Sequence, residues 1–445
     1  MNRRTIVPTV AGWAAVIMLA GSCSTAGAPA PGTVAPASGA QKPGETPGST
    51  IETPVDEIAD LLVLRMATVT PNDAFTVIDP SGRRILFDLP DGVVSRDWRT
   101  LVSLTRTGGN TNVAVNAPEG SDMPHDIAVA GAWRLPTIGV AHRAGGLSDD
   151  GSTLVLEEVI DAAPATLSSK TRFAIVATGG SKAPRIVTLG GSFSYDALSP
   201  DGQWLYVIEH LPGADATHYQ VRRVEVATGA LQEGTIVDKR NIGEQMNGYA
   251  VTQEPGRGGW VYTLYRGNDG AFIHALDTTN GAAVCIDLPG TGKGDAASSA
   301  AWSLIADPMG DWLYAADPTL KSVKAIDLSD FSVRRSGSLA SAPIVVFAKL
   351  ESATPVAGRA ALSPDRKTLY VLDTTGVAVV RVEDLRLIGH LGGSGAFRSL
   401  AVGSKGTVYA VDGAGKVVRL DAGSAPPTQV ADGTYTSIVA IVPMR

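Results

Sequence analysis

Apolar residues in this chain come in short unbroken runs. In Trp204-Leu-Tyr-Val-Ile208 they follow one another without a polar break. A strand covered on one face alternates apolar with polar side chains, whereas one buried on both faces reads as continuously apolar. The β-branched and aromatic content favours extended backbone. The run therefore predicts a strand in a sheet sandwiched between two others. Just before it, Ser199-Pro200-Asp201-Gly202 fits a type I turn, with proline presetting φ at the second corner and glycine closing the fourth.

The same pattern recurs. Variants are Val94-Ser-Arg-Asp-Trp-Arg-Thr-Leu-Val102, Leu147-Ser-Asp-Asp-Gly-Ser-Thr-Leu-Val155, Ala306-Asp-Pro-Met-Gly-Asp-Trp-Leu-Tyr314 and Leu362-Ser-Pro-Asp-Arg-Lys-Thr-Leu-Tyr370, with looser copies at 258–262 and 403–409 and a worn one at 60–64. Equivalent apolar residues are Leu62, Leu101, Leu154, Leu205, Val261, Leu313, Leu369 and Val408, spaced 39 to 56 residues apart. Further apolar strands and Asp/Thr/Gly turns follow each copy, as in Ile273-His-Ala-Leu-Asp-Thr-Thr-Asn-Gly281. Repeats of this length built from strands alone predict an all-β fold, a β-propeller of four-stranded blades. We count about eight, with seven as the alternative because the first copy is weakest. An extra strand at Ser437-Ile-Val-Ala-Ile-Val442 is expected to complete the first blade and close the ring. In the 362–370 copy Arg366 stands where the turn wants glycine, so Arg366→Gly is expected to be neutral or stabilising. Trp204, Trp260 and Trp312 recur just before the anchor residue, and Trp98 lies two residues earlier in its copy, on the same strand face. They read as wedges between blades, whereas Trp133 falls outside the repeat, as part of a longer inter-blade loop.

The N-terminus has a different composition. Arg3 and Arg4 precede an apolar stretch from Ile6 to Ala20, so residues 1–22 read as a signal peptide, with the twin arginines leaving the export route open. The stretch is shorter than the roughly 20 residues that span a bilayer. Ala20-Gly21-Ser22-Cys23 resembles the lipobox of bacterial lipoproteins, which implies lipidation of Cys23. Residues 23–53 are rich in Ala, Pro, Gly, Ser and Thr and read as a disordered tether, leaving 54–445 for the propeller. The expected location is the extracytoplasmic face of the cell membrane, held by lipid.

The formal charge is −7, and losing Arg3 and Arg4 with the signal takes it to −9. An acidic surface argues against nucleic acid as a partner. With Cys23 lipidated, Cys285 stands alone in an apolar strand and no internal disulfide forms. We expect a monomer.

Candidate chemistry is sparse. Acids at strand ends that should reach one mouth of the channel are Glu157, Glu158, Glu209, Asp317, Asp373 and Asp412. Asp317, Asp373 and Asp412 are the candidates for a cation such as Ca²⁺, although no single loop concentrates ligands and the plainer reading is that each starts a turn. His142, and His210 beside Glu209, are the candidates for general-base catalysis. No zinc spacing, nucleophile elbow or phosphate loop occurs, and no cofactor is expected.

The copies with Pro-Asp-Gly-x-x-Leu-Tyr-Val resemble the YVTN-type propeller repeats of bacterial surface and periplasmic proteins, lactonase-like members included. The resemblance covers about residues 55 to 443 and concerns the fold. The WD40 signature is absent, since no Gly-His and Trp-Asp pair recurs. Ala275-Leu-Asp277-Thr-Thr-Asn-Gly281 approaches the quinoprotein blade turn but lacks the tryptophan that follows it there. Two functions come out of this reading. One is a non-enzymatic envelope lipoprotein whose propeller binds a protein, peptide or glycan. The other is a lactonase-like or lyase-like enzyme working at the channel mouth.

Overall fold

A computed structural model describes residues 60–443, apart from 68–73, 81–84, 97, 117–123, 140–142, 161–166, 212–217, 239–245, 268–269, 291–300, 340–358, 374, 394 and 422–425. Cys23, the signal and the tether lie outside the described residues. So does His142.

Continuously apolar strands need cover on both faces, and the molecule supplies it with eight four-stranded antiparallel sheets among the described residues. Blade 4 shows the pattern. Its strands are Ser192–Leu198, Trp204–His210, His218–Glu225 and Met246–Asn247, paired in chain order. Leu205 and Val207 pack toward blade 3, while Tyr206 and Ile208 pack toward blade 5. In blade 6, Leu313 and Ala315 face blade 5, and Tyr314 and Ala316 face blade 7. One strand thus feeds two cores, which is why its sequence does not alternate.

Seven apolar clusters each join one sheet to the next, and the eighth seats Trp98, from the turn of the second blade, on the first sheet, so that together they run round a closed ring. The first strands of successive blades line the centre. Tyr249–Pro255 meets Ser303–Ala306, which meets Ala360–Leu362, then Phe397–Val402, then Tyr435–Pro443. Closure follows the expected route. Tyr435–Pro443 pairs with Asp60–Met66, which is followed by Phe75–Ile78 and Ile85–Leu89, so one blade is built from both ends of the chain. Polar contacts latch the seam. Ser404 N donates to Asp60 Oδ2 at 2.9 Å and Ile438 N donates to Ser399 Oγ at 3.1 Å. Among the described residues the blades number eight, not seven.

The repeated turn behaves as its residues require. Gly202 N donates to Ser199 O at 2.9 Å, and glycine tolerates the left-handed φ of 65° there. Ser199 Oγ donates to Asp201 Oδ1 at 2.6 Å, and that carboxylate also accepts from Gln203 N. Serine at the first corner and aspartate at the third therefore hold each other.

Two expectations are revised here, for identifiable reasons. Arg366 does adopt the left-handed backbone, at φ 62°. Its guanidinium, however, bonds the buried carboxylate of Asp307 and reaches Asp311 Oδ2 at 3.0 Å, both in the neighbouring blade's turn. Glycine there would relax the turn but strip Asp307 of its cation, so the expected outcome becomes destabilisation, read as a lower urea midpoint for Arg366→Gly. Trp98 is not on a strand. It occupies the turn position that glycine takes elsewhere, with φ 62°, and packs against the cluster between blades 1 and 2. Trp204, Trp260 and Trp312 do sit at blade junctions, where Trp204 and Trp312 each carry an arginine over the ring at 4.4 Å.

Blade 3 departs from the pattern. Its first strand is split. Trp133–Arg134 pairs with Glu158 and Glu157, and Leu147 rejoins the sheet opposite Leu154. Between them, Thr137–Ile138 and Arg143–Ala144 form a two-stranded ribbon that leaves the blade and lies against the first strands of blades 4 and 5. Trp133, expected in a loop, is a buried strand residue.

Candidate functional site

The strand-end acids are largely committed to local structure. Asp317 Oδ1 accepts from Thr319 N at 2.7 Å and Leu320 N at 3.1 Å. Asp373 accepts from Thr375 N and Oγ1 and from His390 Nε2 at 3.0 Å. Asp412 accepts from Ala414 N at 2.9 Å and Lys416 N at 2.8 Å. Each belongs to a different blade and caps its own turn, the role aspartate plays in turns generally. Burial lifts the Asp317 carboxyl to about 6. Among the described residues no three of His, Cys, Asp and Glu gather into a metal-binding group. Glu157 joins blades, accepting from Tyr195 N at 2.9 Å and from Arg134 at 3.0 Å, while Glu158 pairs with Arg172.

The described histidines are likewise dispersed. His125 Nε2 lies 2.6 Å from Thr178 O, and His390 belongs to Asp373. His274 is wholly buried in blade 5 with neither ring nitrogen bonded, and burial lowers it to about 4. Glu209 and His210, neighbours in sequence, do not act on each other. Successive strand side chains point to opposite faces, so Glu209 binds Arg222 at 2.9 Å and Gln220 at 2.6 Å, whereas His210 Nε2 lies 3.0 Å from Ser194 Oγ. Burial keeps the His210 imidazole below its ordinary range.

His210 does line a cavity of about 180 Å³ between blades 4 and 5. The ribbon of blade 3 forms one wall through Thr137, Ile138 and Gly139. Gly139 is held at φ 65°, and a Cβ there would stand 2.5 Å from Val251 O, so only glycine lets the ribbon close on blade 5. The first strand of blade 4 contributes Ser194, Tyr195 and Asp196, its third strand Tyr219, and blade 5 Ala250, Thr263 and Tyr265.

Asp196 is the unusual member. The pairing of blade 4 skips from Tyr195 opposite Val207 to Ala197 opposite Tyr206, which makes Asp196 the extra residue of a β-bulge. Bulges re-aim a side chain out of the alternation. The carboxylate ends 1 % exposed. Its Oδ1 accepts from Gln253 Nε2 at 3.2 Å, and Gln253 is itself held by Thr263 Oγ1 at 2.9 Å. Its Oδ2 has no hydrogen bond. Burial raises the carboxyl to about 7, with the Gln253 bond opposing. The Tyr219 and Tyr265 hydroxyls are also buried without a hydrogen bond of good geometry, although the phenols influence one another's ionisation and both feel Asp196. Burial pushes both well above the usual phenol range. Native proteins leave few buried polar atoms unpaired, and here three such oxygens belong to residues lining one cavity. Sequence reading passed over Asp196. The available signal was a lone charge inside Phe193-Ser-Tyr-Asp-Ala-Leu198, a run that ends buried.

No protein-family model matches the chain, and no curated protein does. Among solved structures it is similar to hydrazine synthase of Kuenenia stuttgartiensis (16 % identity over 76 % of this chain and 99 % of that one, TM-score 0.40). It is similar also to AztD of Citrobacter koseri (14 % identity over 75 % and 94 %, TM-score 0.37) and to a 6-phosphogluconolactonase-type protein of Bacteroides fragilis (13 % identity over 87 % and 98 %, TM-score 0.39). Likeness at these identities concerns the fold alone. The blade count and the closure rest on the strand pairing described above.

Proposed function

We propose that this chain is a non-enzymatic binding module, carried on the extracytoplasmic face of the cell membrane by lipid on Cys23, whose propeller takes a small polar ligand in the cavity between blades 4 and 5. The observation that carries it is the buried, half-paired carboxylate of Asp196 facing that cavity. An unpaired buried acceptor costs stability unless something fills the place of its lost water. A preformed cavity with apolar walls and a few convergent polar groups is the usual form of a small-molecule site. The anchor reading rests on Ala20-Gly21-Ser22-Cys23, and Cys23→Ala is expected to move the protein from the membrane fraction to the soluble one.

The binding reading is tested by thermal shift of the protein against neutral, anionic and cationic small metabolites, with Ala250→Trp as a filled-cavity control. At least one class should raise the melting temperature of the wild type and leave the tryptophan variant unmoved. No difference between the two proteins across all classes would overturn the reading.

A hydrolytic second reading rests on Ser194 Oγ lying 3.0 Å from His210 Nε2, the contact a nucleophile makes with its base. The third, orienting group of such a set is not supplied by the neighbouring acid, since Glu209 is bound to Arg222 and Gln220. Binding is therefore the reading the geometry supports best.

A further inference from the structure

We propose that the ligand of the blade 4–blade 5 cavity carries a primary ammonium group on a small hydrocarbon body, with the three N–H bonds directed to Asp196 Oδ2, Tyr219 Oη and Tyr265 Oη. This deepens the binding reading and rests on it. Asp196 Oδ2 is buried with no hydrogen bond, the buried Tyr219 and Tyr265 hydroxyls have each other as neighbouring polar groups by their mutual effect on ionisation, and all three residues line the same cavity. A primary ammonium offers three donors and no acceptor, as the lysine head group does. Among the described residues the lining contains no lysine or arginine, so an ionised Asp196 is the one negative charge these residues bring to the cavity.

Other cations fit less well. Divalent calcium takes six to eight oxygens, several of them anionic, and the described lining supplies one carboxylate. A quaternary ammonium has no N–H to give and is recognised by open aromatic faces. The faces of Tyr265 are not open: Tyr219 stacks on it at 4.8 Å and Phe272 at 5.4 Å. The size limits the body. A cavity of about 180 Å³ lies below the roughly 300–1,000 Å³ of sites that take drug-sized ligands. Ile138, Ile208 and Ala250 supply the apolar wall.

Binding should depend on pH. The titratable groups facing Asp196 are Tyr195, Tyr219, Tyr249, Tyr265 and His210. Burial or the Asp196 charge holds Tyr195, Tyr219 and Tyr265 protonated throughout the neutral range, and burial keeps His210 neutral above its ordinary value of 6.5. Asp196, raised to about 7, is then the group that ionises between pH 6.5 and 8. An ammonium binds the ionised form, so affinity should rise through that window and level off above it.

The test is calorimetric titration of the full-length protein with butylamine, butanol, butyrate and tetramethylammonium at pH 8, repeated with butylamine at pH 6.5. Butylamine should bind with one-to-one stoichiometry, at least tenfold more tightly than the other three, and more weakly at pH 6.5. Asp196→Asn, checked for folding by circular dichroism, should lose at least tenfold for butylamine, and Tyr219→Phe should lose less. Equal binding of butanol and butylamine, preference for butyrate or tetramethylammonium, or undiminished binding by Asp196→Asn would overturn the ammonium assignment while leaving a ligand cavity. No binding of any probe, together with no thermal shift from any metabolite class, would overturn the cavity reading as well.

Discussion

A chain ending at Gly433 is expected to lose cooperative folding and to aggregate. It lacks Tyr435–Pro443, the strand that pairs with Asp60–Met66 and packs on Phe397–Val402. Tyr435 and Ile438 are 4 % and 2 % exposed, and burying side chains of this size contributes about 1.5–3 kcal/mol each. Their partners Leu62, Leu64 and Val411 would be uncovered with them. A whole domain is stable by only about 5–15 kcal/mol, so the loss competes with the total. The truncation also bares a strand edge beside an open cleft, a template for pairing with other chains. Size-exclusion chromatography and urea unfolding check this, with Ile438→Ala as the milder comparison at about 2–5 kcal/mol. A peptide spanning 434–445, added during refolding, should restore a monomer by supplying the missing strand. A truncated chain that stays monomeric with an unchanged midpoint would show that the seam is not where stability resides.

That seam was readable from sequence because its signals are local and repeated. Leu205 and its equivalents recur with the same turn before them, and an apolar run near the C-terminus has nowhere to go but the incomplete first unit. The cavity was not readable, and the reasons are physical. Asp196 acquires its orientation from a bulge, which depends on the register between two strands and not on composition. Gly139 matters because of how close it lies to Val251, a contact across more than a hundred residues of chain. The ribbon that carries it interrupts blade 3, and a two-residue strand such as Trp133–Arg134 is too short to leave a periodic signal. Among the acids, sequence placed Asp317, Asp373 and Asp412 at strand ends but could not show that their own turns occupy them. The Glu209-His210 pair misled because adjacency along a strand separates side chains to opposite faces.

Asp196→Asn is expected to stabilise the protein at high pH and to change little at low pH. The carboxyl ionises near its ordinary value of 3.8 when the chain is unfolded and at about 7 when folded. Between those values the folded protein holds a proton that the unfolded chain has released. Wild-type stability therefore falls as pH rises from about 4 to about 7 and is level beyond. Three pKa units at about 1.36 kcal/mol each set a ceiling near 4 kcal/mol. Water entry and local relaxation lower it, so a gap of about 2 kcal/mol at pH 8 is the expected figure. Asp317 and His274 titrate in both proteins and cancel in the comparison. Urea unfolding at pH 4.5 and pH 8 reads the difference. A gap that is equal at both pH values, or one that favours aspartate at pH 8, would mean that the carboxylate is neutralised by a partner.

The most direct measurement is the titration of the Asp196 carboxyl carbon by nuclear magnetic resonance, assigned by its absence in Asp196→Asn. A midpoint near 7 in the free protein, moving down when an ammonium ligand is added, is the result this account predicts. A midpoint near 3.8 would mean that the group is open to water or already paired, and the blade 4–blade 5 cavity would lose its reason to bind anything.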